Sequence, residues 1–572
     1  MPPLTLEEKT HIAQELRSTT QELKDRGLLV AAKWACELLS ALPKEARTRP
    51  YLHFSPPARQ AGLPPLRGRP SIMTEMSFES DGFPEADEDD MLDEDTFQLA
   101  KSYFDIKEHD RVVAVLKGAK SVRARFLRTY SAYLSADRKA QESLGHFLDT
   151  KQERHALFPP LNKLLSEIEG DLDPYLLYLQ GLLHMRLEQK DSAIDCFIES
   201  VRGRPYNWSA WTQLAQLIDS ADKFIEIKER LPSGPMRTFF AINVMLDLHT
   251  ATDLVMTMIT ELLDTFPGSV HLIAQKGMVY YHMRDFQRAE IQFDHVQSVD
   301  PFRMEEVDIY SNMLYVVNKK TKLAQLAHQY AEIDRNRPEV CTLIGNYYSS
   351  RGDHTRAIQY FKRALMFNRD YLPAWTLMGH EFVELKNTHA AIEAYRKAID
   401  VNAKDYRAWY GLGQAYELLD MAHYAVEYYN QATTLRPYDC RMWTALALVY
   451  EQLGRVPDAI SAHTRALLGA DHKQTPDILG KLATLYAAEG QPSKAVEYHR
   501  KILALGMRDE APLGAMAGSY LAVAAWESRE GGEWALAAQY LQKIAESNLP
   551  ERDAAADLLR ELRIREARAA AS

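Results

Sequence analysis

The chain has little of what catalytic or secreted proteins depend on. Four cysteines occur in 572 residues, at Cys36, Cys196, Cys341 and Cys440, and none forms a CxxC pair. That spacing excludes a disulfide framework or a thiolate metal centre and suits a reducing compartment. No HExxH, GxSxG or GxxxxGK[ST] stretch is present, and no cysteine has a base at motif spacing. The 18 histidines are dispersed, so neither a metal nor a cofactor is expected. The function should be binding, and the chain is expected not to be an enzyme. There is no basic excess either: 68 Lys and Arg stand against 79 Asp and Glu, a formal net charge of -11. Nucleic acid, which demands a basic footprint, is therefore not an expected partner. Long apolar runs are also missing. The most apolar stretch near the N-terminus, Gly27 to Leu42, is broken by Lys33 and Glu37, so no membrane partner and no signal peptide are expected. Nucleus and cytoplasm are the expected locations, where the Asn207-Trp208-Ser209 glycosylation acceptor would be idle.

What the chain does have is a period. Small residues recur at Gly277, Ser311, Gly345, Gly379, Gly413 and Ala447, each 34 positions after the last. Three residues later stands a large one: Tyr280, Leu314, Tyr348, Phe382, Tyr416, Tyr450. Twelve after the anchor comes alanine in most units (Ala289, Ala357, Ala391, Ala425, Ala459), and four further on a knob: Phe293, Phe361, Tyr395, Tyr429, His463. Trp375, Trp409 and Trp443 precede their anchors by four, and Pro301 and Pro437 close repeats. Small residues let paired helices approach, aromatics fill the space beside them, and proline stops the second helix. The period is that of the tetratricopeptide repeat (TPR), which predicts an all-α superhelical solenoid of antiparallel helix pairs. The YGLGQAY stretch around Gly411 and Gly413 is helix-packing glycine, not a dinucleotide loop, because it lacks the third glycine and a preceding strand.

Outside the regular array the register loosens. Residues 1–42 read as an N-terminal helical pair with an apolar stripe of Leu28, Ala31, Ala32, Ala35 and Leu38. Residues 43–95 are rich first in Pro and Arg, then in Asp and Glu, and read as a disordered linker or an acidic docking tail. An N-terminal TPR array follows over 96–270, with a helical pair expected from Val122 to about Asp149 and a shortened second helix between Ala215 and Asn243. A C-terminal array with a peptide groove is expected over 271–550, and a polar capping helix over 551–572. Ser55-Pro56 and Thr475-Pro476 are minimal proline-directed phosphorylation sites.

The register also predicts where a ligand would lie. Positions 2, 5, 9 and 12 of each first helix face the groove. In the central units these include Glu305, Asp308, Asn312, Tyr315, Glu339, Thr342, Asn346, His380, Tyr410 and Gln414, with Tyr347 and Glu381 at the edge. Grooves that clamp a terminal carboxylate use Lys and Arg beside such asparagines. Here Glu305 and Asp308 hold that neighbourhood, with Glu381 and Glu384 nearby. An acidic, tyrosine-edged groove favours an extended peptide bearing arginine.

Four stretches go further than a repeat. RGLLVAAKWACELL (Arg26 to Leu39), LAKSYFDIKEHDR (Leu99 to Arg111), GNYYSSRGDHTRAIQYFKRAL (Gly345 to Leu365) and the run from Ala374 to Leu419 resemble the cell division cycle protein 23 family. That family is the subunit-eight TPR scaffold of the anaphase-promoting complex/cyclosome, a ubiquitin ligase of the cell cycle. The resemblance implies a non-catalytic subunit that drives mitotic progression. It further implies a homodimer built through N-terminal repeats, contacts with sibling TPR and platform subunits, and a groove for the arginine-bearing C-box of a coactivator. Leu28, Leu29, Trp34 and Leu38 are then either a dimer element or ordinary intrachain packing. The alternative is a TPR co-chaperone or adaptor for extended peptides, against which the shortage of groove lysine speaks.

Overall fold

The computed structural model describes residues 4–47, 89, 92–143, 158–248, 250, 253–509, 511–531, 533–547 and 549–571. Among these residues every regular element is helical. Most of the 43–95 segment, including Ser55, lies outside the described residues. The chain divides into two compact units, Met1–Arg303 and Met304–Ser572, a boundary later in the chain than the expected 270.

The second unit shows the repeat at its most regular. First helices Pro338–Ser350, Leu372–Glu384, Tyr406–Leu418 and Cys440–Gln452 each have 13 residues. Second helices His354–Phe367, Thr388–Val401 and Ala422–Leu435 each have 14. The anchor glycines explain themselves by contact. A Cβ at Gly345 would lie 2.4 Å from the Phe361 ring, and one at Gly413 would lie 2.4 Å from Tyr429. Gly411 is equally tight against Tyr395, so the GLG pair lets one helix settle between two knob rings. The tryptophans act as latches. Trp375, Trp409 and Trp443 each donate an indole N–H to the carbonyl six residues earlier, at 2.8 Å, tying the inter-repeat turn to the helix it precedes. His463 is a fully buried knob bonded to Glu451 at 2.8 Å, in the same register as Tyr429 bonded to Glu417. After the step around His472 to Pro476, repeats continue through Thr475–Ala488 and Pro492–Arg508. They then pass to Leu513–Trp526 and Trp534–Ala545, joined by a short π-helical segment. The last helix, Arg552–Ala571, buries Ala555 and Leu562 and so caps the core.

The first unit is less regular. Helices Trp208–Gln216 and Ala221–Arg230 have only 9 and 10 residues, which accounts for the short step there. The expected pair from Val122 is instead one 22-residue helix, Val122–Ser143, followed by residues outside the description. Its sequence runs without a Gly or Pro stop, so nothing turns the chain. The N-terminal pair, Leu6–Asp25 and Leu29–Ala41, opens on a capping box between Thr5 and Glu8. This pair does not stand apart. Trp34 stacks on Trp208 at 4.6 Å and meets the Phe239 edge at 5.5 Å. Glu22 takes a hydrogen bond from the Tyr175 hydroxyl and pairs with Arg204, both at 3.0 Å. The Gly268 N–H donates to the Ala41 carbonyl, and Arg303 pairs with Glu37 at 3.9 Å. These contacts hold residues 268–303 within the first unit and set its late boundary.

They also bear on the two readings of the N-terminal stripe, and burial favours intrachain packing for three of its four residues. Leu28, Trp34 and Leu38 are buried against the chain's own repeats. Only Leu29, at 59% exposure, presents itself, beside Val30 at 76%. Asn207 is wholly buried, so the glycosylation acceptor is inaccessible in the folded chain.

Candidate peptide-binding surface

The central first helices of the second unit begin at Val307 and Pro338, and their opening turns bring acidic residues together. Asp308 lies in the first turn of Val307–Val316, Glu339 in that of Pro338–Ser350, and Glu305 just ahead of the former. Glu306 enters the helix with a left-handed φ of 61°, which redirects the chain there. The Tyr371 hydroxyl, from the turn before Leu372–Glu384, donates to Asp308 at 2.6 Å. Burial lifts the Asp308 carboxyl above its ordinary range, although the Tyr371 hydrogen bond opposes that shift. Glu339 is lifted too, first by burial and then by repulsion from Asp308 and Glu305. One Glu339 carboxylate oxygen is buried with no hydrogen-bond partner among the described residues. Tyr371 itself is pushed up by burial and by Asp308, so it stays a neutral donor. Arg407 is close enough to favour the ionised Asp308, but it also pairs with Asp405 at 3.3 Å. Asp308 and Glu339 thus stand together at half-buried depth with raised pKa values, and Glu305 lies close enough to Glu339 to add to that shift.

Other expected groove residues divide into two groups. Asn312, Tyr410 and Gln414 are half-buried, Tyr347 likewise, and Tyr315 is 41% exposed. Tyr410 rests against Tyr429, and Tyr347 lies between His328 and Tyr348 with its hydroxyl accepting from Arg351 at 3.0 Å. The second group is a correction: Thr342, Asn346 and Glu381 are interior. Thr342 is wholly buried and donates to the Pro338 carbonyl. Asn346 donates to the Ser311 hydroxyl at 2.8 Å, which in turn donates to the Asp308 carbonyl. The Asn346 amide therefore braces the floor under Asp308 rather than gripping a ligand. Glu381 accepts from Ser349 and meets His354, both at 2.7 Å. His380 bonds the Tyr395 hydroxyl at 2.8 Å, and burial pushes its pKa down to about 4. It is a neutral packing residue near pH 7. Position counting missed Tyr371 because it lies on the inter-repeat turn, at the last position of its unit. Its signal was an aromatic directly before Leu372-Pro373, at the turn that opens the second first-helix after that of Asp308.

Among the described residues no helix is long and apolar enough to cross a membrane. Thr475 begins its helix, with its hydroxyl donating to the Asp471 carbonyl.

Comparison with known proteins adds a family to this geometry. The sequence model of "Anaphase promoting complex subunit 8 / Cdc23" matches residues 11–277, and that of the "Cilia and flagella-associated protein 70 C-terminal domain" matches 307–570. The chain is 35% identical over 375 residues to "Anaphase-promoting complex subunit 8" of Arabidopsis thaliana, covering 63% of each chain. It is 33% identical over 416 residues to the protein of that name in Dictyostelium discoideum, covering 64% of this chain and 67% of the relative. The match to the Arabidopsis relative thus spans less than two thirds of that relative's length. The fold is similar to a chain in the crystal structure of the APC/C hetero-tetramer Cut9-Hcn1. That match has a TM-score of 0.53 and 20% identity, covering 82% of this chain and 89% of that one. At that identity the likeness shows the fold alone. The regular helix pairs, the long sequence matches and the shared fold converge: this chain is a TPR protein of the anaphase-promoting complex subunit 8/Cdc23 family.

Proposed function

We propose that this chain is a non-catalytic scaffold subunit of the anaphase-promoting complex/cyclosome, acting in nucleus and cytoplasm. It holds sibling TPR and platform subunits and receives the arginine-bearing C-box of a coactivator on its second unit. The observation that carries the peptide assignment is the cluster of Glu305, Asp308 and Glu339 beneath Tyr371, a seat for a cation that brings several N–H donors. Family membership supports the scaffold role. An arginine guanidinium fits the seat because its planar fork of donors can serve several acceptors at once. A peptide carboxylate would meet like charge there, which disfavours the co-chaperone reading.

Homodimerisation belongs to the same proposal, through the first unit. With Trp34 committed to Trp208, the apolar surface left on the N-terminal pair centres on Leu29 and Val30. Affinity purification of the full chain tests the scaffold role: recovery of cullin-like and RING subunits is expected, and recovery of chaperones alone would overturn it. Light scattering on full-length protein tests the dimer, and a monomer at micromolar concentration would count against it.

A further inference from the structure

The same two first helices that carry the carboxylate seat have a second feature at their other ends. A cavity of about 310 Å³ opens where Val307–Val316 and Pro338–Ser350 finish. Its walls include Tyr315, Asn318, Lys320, Leu323, Ser349 and Ser350. Its character is opposite to that of the seat. Lys320 is exposed and has no carboxylate partner among the described residues. Lys319 and Lys322 flank it in an otherwise acidic chain. Ser349 and Ser350 already donate their hydroxyl protons, to Glu381 and to the Tyr347 carbonyl, so these two keep only acceptor lone pairs, and the charged donor on the wall is the Lys320 ammonium.

We propose that this cavity takes an acidic side chain of the same extended peptide whose arginine enters the Asp308 seat. The inference rests on the reading of that seat given above and adds a second requirement on the ligand. Spacing follows from geometry. Asp308 and Tyr315 are seven residues apart on one helix, which is about 10 Å at the α-helical rise. An extended peptide covers that in about three residues. The ligand should therefore carry Arg and Asp or Glu about three positions apart, one over each end of the helix pair. A peptide with arginine alone would fill the seat and leave the lysine unanswered.

Fluorescence anisotropy on the full-length protein tests this with labelled, end-capped heptapeptides. One pair has Arg and Glu three residues apart in both orders, and the matched pair has Gln for Glu. In one order, the Glu peptide should bind at least about threefold more tightly than its Gln partner. Lys320→Glu, at an exposed position, should erase or invert that preference while helicity is unchanged. Asp308→Asn should weaken Glu and Gln peptides alike. Equal affinity for Glu and Gln in both orders, or a preference that survives Lys320→Glu, would overturn the proposal. If no arginine peptide binds, the seat reading fails, and a separate measurement still decides the cavity. An arginine-free Glu peptide at millimolar concentration should protect Lys320 from amine acylation, and an absence of protection overturns the cavity assignment.

Discussion

The two units use the ends of their first helices in opposite ways. In the first unit the chain covers that strip itself. The N-terminal pair lays Trp34 on Trp208, Glu22 on Tyr175 and Glu37 on Arg303. In the second unit the starts of the first helices hold Glu305, Asp308 and Glu339, and the turn before a third holds Tyr371. Where the strip is covered, its residues are aromatic or complementary in charge and the local structure is satisfied. At the start of the second unit, carboxylates stand together instead, with pKa values raised by burial. One repeat scaffold thus supports both an internal joint and the proposed ligand surface, and side-chain chemistry near the helix starts distinguishes them.

The largest effect should come from breaking the covered strip. Trp34→Ala removes a stacked indole from the first unit's core and should lower stability by about 3–5 kcal/mol in denaturant titration. Arginine-peptide binding by the folded protein should be retained. Unchanged stability would mean that the N-terminal pair is not integral to the unit. Next is the regular array itself: Gly345→Ala drives a Cβ against Phe361 and should cost about 1–3 kcal/mol.

The carboxylate cluster predicts a trade. For a carboxyl whose folded pKa is raised, as at Asp308 and Glu339, the native state binds protons more tightly than the unfolded chain. Stability then falls as pH rises through that folded pKa. At neutral pH these groups burden the fold. Asp308→Asn, which still accepts from Tyr371, should raise the melting temperature at pH 7 and weaken an arginine peptide about 10- to 100-fold. A variant that loses stability as well would show Asp308 to be structural. The same logic gives the ligand's pH dependence: peptide affinity should drop on acidification as the carboxyls protonate, measurable by calorimetry between pH 7 and pH 4. A pH-independent affinity would remove the carboxylates from the site. The smallest effect lies in the turns. Non-glycine residues Asn318, Lys386 and Asp420 adopt left-handed φ near 60° where Gly352 and Gly454 stand in sister repeats. Lys386→Gly should therefore stabilise by about 1 kcal/mol, visible as a small shift in the unfolding midpoint.

Much of the fold was legible because the period repeats several residue types in one register. Gly345, Phe361, Ala357 and Trp375 each do in three dimensions what their spacing implied. The site was only partly legible. Glu305 and Asp308 are half-buried and Tyr315 is exposed, so each keeps surface a ligand could reach. Asn346 and Thr342 share their helix face but turn inward: Asn346 reaches Ser311 of the preceding repeat, and Thr342 bonds the Pro338 carbonyl of its own helix. Periodicity gives the face of a helix and not the depth at which a neighbour covers it.

The sequence by itself determined the helix pairs, their packing contacts and the family, since each follows from local spacing and residue type. Only the tertiary structure decided that Trp34 packs on Trp208 within the chain's own core. It also decided that Tyr371 joins Asp308, and that Lys320 faces a cavity at the far end of the same helices. Those pairings join residues 63 or more positions apart, as with Tyr371 and Asp308, or depend on helix ends meeting in space. Local pattern carries no record of either.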